Sequence, residues 1–208
     1  MNTQDFAGVV PAQYTGKEIE AEASLTFQDD AAATAFYEVA KNRLLHVNSW
    51  DLVAGMMSAV FQLVDAKGNV VTRPVQQGDY FKIDIPGPGS KAGDGYDWVK
   101  VELLNEMYNG SIQSIGLRVR PTQNPFNENT GIAHFYAEEA TSSFFVAREG
   151  LKVSAVIIDR NIKPNKDTDS LTDKIRDVVV GISAMGAFSK VQWQKFADGL
   201  VAEEKPDR

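Results

Sequence analysis

The chain contains no cysteine and only two histidines, His46 and His134. The first absence excludes disulfides, thiolate nucleophiles and cysteine-bound zinc or iron-sulfur centres. The two imidazoles lie far apart without an H-x-x-x-H spacing, so neither a metal nor a cofactor is expected. Positive charge is also scarce: 21 Lys and Arg stand against 28 Asp and Glu, a net charge of -7. No basic cluster offsets that balance, which argues against a nucleic-acid partner. Long apolar runs are missing as well, and none reaches the roughly 18 to 20 residues that span a bilayer. The opening MNTQDFAGVV has no basic region leading into an apolar run, so the expectation is a cytoplasmic protein without a membrane span.

What is present is an ordinary globular composition, 43% hydrophobic and 24% charged over 208 residues. That suits one domain with one sizeable core. No internal repeat or low-complexity segment interrupts it.

The segment from Asp169 to about Val201 organises the rest. Its apolar residues, Leu171, Ile175, Val178, Val179, Ile182, Met185, Trp193, Phe196 and Leu200, follow the 3.6-residue period of a helix with one apolar face. Ser170 with Asp173 three residues on supplies a start. A second start at Ser189 and Gln192 would mark a break. Gly181, Ser183, Ala184, Gly186 and Ala187 between them are small enough to bring a helix close to a sheet, or to leave room for a ligand.

The partner sheet is written in alternating segments. Residues 1 to 20 read as an irregular arm with Gly8, Pro11 and Gly16, and Ala23 to Phe27 reads as a first strand. Asp29 or Asp30 caps a helix whose Phe36, Val39, Ala40 and Leu44 share a face, and Ser49 caps a short one that Gly55 ends. Strands are then expected at 58–65, 70–75, 80–85, 98–104, 112–120, 141–148 and 151–160, with a further short element at 132–136. Phe81, Ile83 and Ile85, Val99, Val101 and Leu103, and Ile115, Leu117 and Val119 point one way. Lys82, Asp84, Lys100, Glu102 and Arg118 point the other, onto a solvated face. The hairpin at Glu149-Gly150 joins strands apolar on both faces, which calls for cover on both sides, by a homodimer partner for example. The domain is expected to run from 21 to 202, with a tail at 203–208.

Several chemical motifs fail. The glycine-rich stretch from Ile85 to Asp97 lacks the third glycine of a dinucleotide loop and any GK[ST] ending, and it leads into a strand. It reads as a connecting loop, or as a rim with Tyr96 and Trp98 as contacting aromatics. Gly181-Ile-Ser183-Ala-Met-Gly186 is one residue too long for a nucleophile elbow. Arg118, Arg120, Arg148 and Arg160 would grasp a carboxylate or phosphate if they converged, and the preferred reading is an exposed, paired set. His134, in Ala-His-Phe-Tyr-Ala, is the single catalytic candidate, as a general base; a hydrogen-bonded structural histidine is the preferred reading.

One strand, two helices, about six antiparallel strands and a long C-terminal helix: that order resembles the START-like, or SRPBCC, helix-grip superfamily, which includes the birch pollen allergen family and the polyketide cyclase-like proteins. The resemblance covers about residues 21 to 202. It implies an α+β fold, a curved antiparallel sheet of six to seven strands gripping the helix, with an apolar cavity between them. Phe81, Ile83, Val101, Leu103, Leu117 and Val119 of the sheet occupy the matching positions, with Ile182, Met185 and Phe188 or Ser189 of the helix. The preferred expectation is a non-catalytic protein binding a small, largely apolar molecule there, lined by Phe81, Ile83, Val101, Leu117, Ile182 and Met185 with Tyr96 and Trp98 at the rim. A cyclase-, hydrolase- or isomerase-like enzyme, and a ligand-free protein acting through its surface, stay open beside it.

Overall fold

The computed structural model describes residues 3–55, 59–85, 90–165 and 178–203, with side chains from 189 onward in its last helix. The predicted cap at Ser170 and Asp173, Leu171 and Ile175, the loop residues 86–89, and the side chains of Ile182, Met185 and Phe188 lie outside the described residues.

Seven antiparallel strands form one sheet in the order β1-β7-β6-β5-β4-β3-β2. They are β1 (Lys17–Thr26), β2 (Val60–Val64), β3 (Tyr80–Asp84), β4 (Asp97–Asn109), β5 (Ile112–Pro121), β6 (Thr141–Glu149) and β7 (Lys152–Ile162). Two helices, α1 (Asp30–Leu45) and α2 (Trp50–Val53), follow β1, and α3 (Val178–Leu200) follows β7. The first strand therefore starts at Lys17, and residues 17–20 are strand where the sequence suggests an arm. Val70 to Val75 is a correction too. It contributes a single bridge, Val64 to Val70, because Pro74 cannot donate to a ladder and the chain turns to send Val75 N–H to the Leu45 carbonyl. The 132–136 element is likewise one bridge, Tyr136 to Pro164.

Helix α1 begins where Asp29 accepts from the Ala32 N–H at 2.8 Å, satisfying one otherwise orphaned donor. It buries Ala33, Tyr37, Ala40 and Leu44. Val39, expected inside, is exposed; Tyr37 takes the inward position at the same helical spacing. Helix α3 runs unbroken past Ser189, so the second capping signal starts nothing. Its C-terminal carbonyls at Gly199 and Leu200, and that of Ala202 just beyond, accept from the Arg43 guanidinium of α1, a cation at the negative helix end.

The concave face of the sheet packs against all three helices. Phe61, Leu63, Phe81, Ile83, Val99, Val101, Ile115, Leu117, Val119, Phe144, Val146, Val153, Ala155 and Ile157 meet Tyr37, Leu44, Trp50, Phe196 and Leu200 in one apolar core. Trp50 is its centre. Its ring lies 4.5 Å from Phe196, 4.9 Å from Phe144, 5.2 Å from Phe61 and 5.5 Å from Phe81, and its indole N–H reaches the Leu44 carbonyl at 3.0 Å. Aromatic contacts at these separations add to area burial.

Helices α2 and α3 touch at Gly199, where a Cβ would fall 1.9 Å from the Val53 carbonyl oxygen. Alanine normally stabilises a helix over glycine by about 1 kcal/mol. Here rigid backbone leaves it no room, so Gly199→Ala is expected to destabilise by about 1 to 3 kcal/mol, read as a lowered urea midpoint. An unchanged or raised midpoint would contradict the contact.

The convex face has its own cover. Before β1 the chain crosses the sheet, and Phe6, Ala7, Val9 and Val10 pack on Leu103, Phe145, Ala147, Val156 and Ile158. Polar side chains pin it: Asn105 donates to the Ala7 carbonyl at 2.8 Å, Ser143 to the Val9 carbonyl at 3.0 Å, and Asn161 accepts from the Tyr14 and Thr15 N–H groups. Gly116 admits the arm, since a Cβ there would meet Val9 Cγ2 at 2.7 Å. The second apolar face of β6 and β7 is thus covered from within the chain. Leu103 is a correction by the same route: the register shifts between Val101 and Leu103, and this bulge turns Leu103 outward under the arm and Leu104 inward.

Candidate functional site

One polar island interrupts the interface between the sheet and α3. On β7 the inward positions read Val153, Ala155, Ile157 and Asp159; the first three join the main core and Asp159, in phase with them, is 1% exposed. Its Oδ2 accepts from the Trp193 indole of α3 at 2.8 Å, and its Oδ1 has no hydrogen-bond partner among the described residues. Ser142 of β6 stands directly across the ladder from it. One turn before Trp193 on α3, Ser189 lies 3.2 Å from the Tyr136 hydroxyl.

Tyr136 belongs to a strap, residues 131–137, that closes this end of the grip. Ala133 bridges β4 and β5 through the Trp98 N–H and the Thr122 carbonyl, and the Ala137 N–H reaches Lys163 beyond β7. Asn165 donates to the Ile132 and His134 carbonyls. Asp97, the first residue of β4, accepts from the Phe135 N–H. His134 is buried with its Nδ1 accepting from the Tyr136 N–H at 2.9 Å and its ring stacked 4.3 Å from Phe135.

Burial controls the protonation of this region. It pushes the Asp159 carboxyl up to about 6, against the pull of the Ser142 hydroxyl and the Trp193 indole. It raises Asp97 to about 7, opposed by the Phe135 N–H. The Tyr136 phenol is raised by burial and then by the charge of Asp159. His134 falls to about 3 through burial, so its ring is neutral at ordinary pH. With Nδ1 accepting, the proton sits on Nε2 and no lone pair is left for a base. His134 here orders the strap.

The expected lining residues fall into two groups. Phe81, Val101 and Leu117 are fully buried and Ile83 nearly so, all in the core beneath the helices. Tyr96 and Trp98 lie elsewhere. Trp98, in alternation with Val99, packs with Val64 and Ala133 on the opposite face, its ring 5.6 Å from Phe126. Tyr96 carries the Lys82 ammonium 3.8 Å above its ring, a cation-π contact. The two aromatics are therefore not brought together with Phe81 and its neighbours.

The arginines do not converge. Arg118 and Arg120 both pair with Glu102, and Arg160 with Glu18. Arg148 is buried, contrary to the exposed role expected of it. Its guanidinium binds Asp30, Gln113 and the Gly110 and Gly150 carbonyls, tying α1 to two hairpin turns. An open recess of about 440 Å³ beside it, reaching Thr34 and Tyr108, therefore has a guanidinium already engaged.

Sequence reasoning missed Asp159, Ser142, Asp97 and Tyr136. Three carried a legible signal: Asp159 and Ser142 are polar at inward positions of apolar strands, and Asp97 is in phase with Val99 and Val101. Tyr136 gave none, because its place depends on the strap. Among the described residues no cluster of three or more metal-ligating side chains occurs, and no described helix is long and apolar enough to cross a membrane.

No family model matches the chain, and no curated protein matches it. Solved structures do. A hypothetical protein from Helicobacter pylori aligns at a TM-score of 0.51 with 12% identity, over 97% of both chains. Ara h 8.0201 aligns at 0.31 with 13% identity over 85% of this chain and 96% of its own. A norcoclaurine synthase of Thalictrum flavum aligns at 0.34 with 9% identity over 88% and 95%. At such identities the likeness concerns fold alone. The seven-stranded antiparallel sheet, the paired helices after β1 and the C-terminal helix laid across the concave face make this chain an α+β protein of the helix-grip fold.

Proposed function

We propose that the chain binds a small, largely apolar molecule between its sheet and α3, at the level of Asp159. The carrying observation is the carboxyl oxygen left without a partner among the described residues, inside an otherwise apolar interface. Buried polar atoms are nearly always hydrogen-bonded, and ligand sites are mostly apolar with a few placed polar groups. Asp159, Tyr136, Ser142, Ser189 and Trp193 form such a set, with core aromatics above them. Catalysis through His134 lacks support, since its ring has no free lone pair.

The test is titration with N-phenylnaphthylamine, whose fluorescence rises in apolar surroundings. One saturable site per chain is expected, weakened about tenfold or more (about 1.4 kcal/mol) by Ser189→Trp, which fills the interface. Tyr108→Ser, on an exposed residue far from it, should leave the titration unchanged. Binding indifferent to Ser189→Trp in a folded variant, or no binding, would overturn the reading.

A further inference from the structure

Resting on that reading, the chemistry of the ligand's polar end can be argued from what surrounds Asp159. Its Oδ2 is taken by the Trp193 indole. Its Oδ1 has no hydrogen-bond partner among the described residues, and none of the described ion pairs reaches it. The cation beside it in sequence, Arg160, pairs with Glu18, and its partners across the two ladders, Ile19 and Ser142, carry no charge. What does approach is the Ser142 hydroxyl, a neutral group directly across the ladder, and aromatic rings. Trp193 stands 5.2 Å from Phe144 in a T-shaped contact and 6.3 Å from Phe61, and Tyr136 faces the carboxylate across Ser189 closely enough for the charge of Asp159 to raise its phenol.

A carboxylate taken out of water without a cation loses its solvation and recovers little. A neutral donor on a ligand would satisfy Oδ1 and leave the charge uncompensated. An ammonium group would do both, and aromatic faces attract a cation further. We propose that the molecule bound between sheet and helix carries an ammonium group, which donates to Oδ1 of Asp159 while its apolar body lies against Trp193 and Phe144.

The experiment is calorimetric titration of the full chain with phenylbutylamine, phenylbutanol and butylbenzene, which share one apolar body and differ in the polar end. The amine is expected to bind at least about tenfold more tightly than the alcohol or the hydrocarbon. Asp159→Asn should bring the amine down to the level of the alcohol. Trp193→Phe, which removes the indole donor and keeps the carboxylate, should retain the preference. Equal binding of all three compounds, or an amine preference that survives Asp159→Asn, would overturn the ammonium assignment and leave the apolar site standing. Binding of none would overturn both. The comparison of amine with alcohol in the unaltered chain decides the point even where Asp159→Asn fails to fold.

Discussion

Replacing Trp50 with alanine is expected to cost about 3 to 5 kcal/mol, a large share of the roughly 5 to 15 kcal/mol that holds a domain of this size together. The ring is fully buried and touches Phe61, Phe81, Phe144 and Phe196, so its loss opens a cavity where α2, α3 and the sheet meet. Its removal also leaves the Leu44 carbonyl without the indole donor. Thermal melts should show a fall of about 6 to 20 °C, taking roughly 2 to 4 °C per kcal/mol. Trp50→Phe, which keeps most of the volume, should lose less than half as much. A melting point within about 2 °C of the parent for Trp50→Ala would mean that the core is not organised around this ring.

The second large effect is one of sign as well as size. Asp97 titrates near 7 in the folded chain because it is buried, against about 3.9 when unfolded. The folded state therefore holds its proton more tightly. Below about pH 4 both states are protonated and nothing is lost. As pH rises from about 4 through 7 the folded carboxyl must ionise without water, and stability falls by up to about 4 kcal/mol. The amide of Asp97→Asn would keep an acceptor for the Phe135 N–H and carry no charge. That substitution is thus expected to raise the melting point by several degrees at about pH 8 and to change it little at about pH 4. His134 acts in the opposite direction: its depressed value withdraws stability as pH falls below about 6.5. That loss is common to both proteins and cancels in the comparison. A destabilised Asp97→Asn at about pH 8 would mean that the carboxylate is needed ionised, as a binding group.

The sheet and its gripped helix were legible because alternation and the 3.6-residue period survive in sequence. Phe81 with Ile83, and Ile115 with Leu117 and Val119, sit on the face their spacing assigns. Element order alone implied the helix-grip arrangement. What failed was set by tertiary contact. Leu103 reads as inward until a single bulge inverts its side, and nothing local in Val101-Glu102-Leu103 announces it. The double apolarity of β6 and β7 correctly called for a second cover, but its source, Val9 seated over Gly116, joins residues far apart in the chain. Tyr96 and Trp98 stand near the core strands in sequence, while the pleat of β4 sends Trp98 to the other face from Phe81. The candidate site stayed hidden for a different reason: one aspartate, one serine and one tyrosine make no motif, and only the packing of α3 and the strap brings them together.

Native mass spectrometry of the purified chain, before and after denaturation, tests the central claim most directly. A single small-molecule adduct per chain that is released on unfolding, and absent from Ser189→Trp, is the result predicted. A mass equal to the bare polypeptide, in a chain that also shows no saturable N-phenylnaphthylamine site, would contradict it and leave the sheet and helix as a closed core.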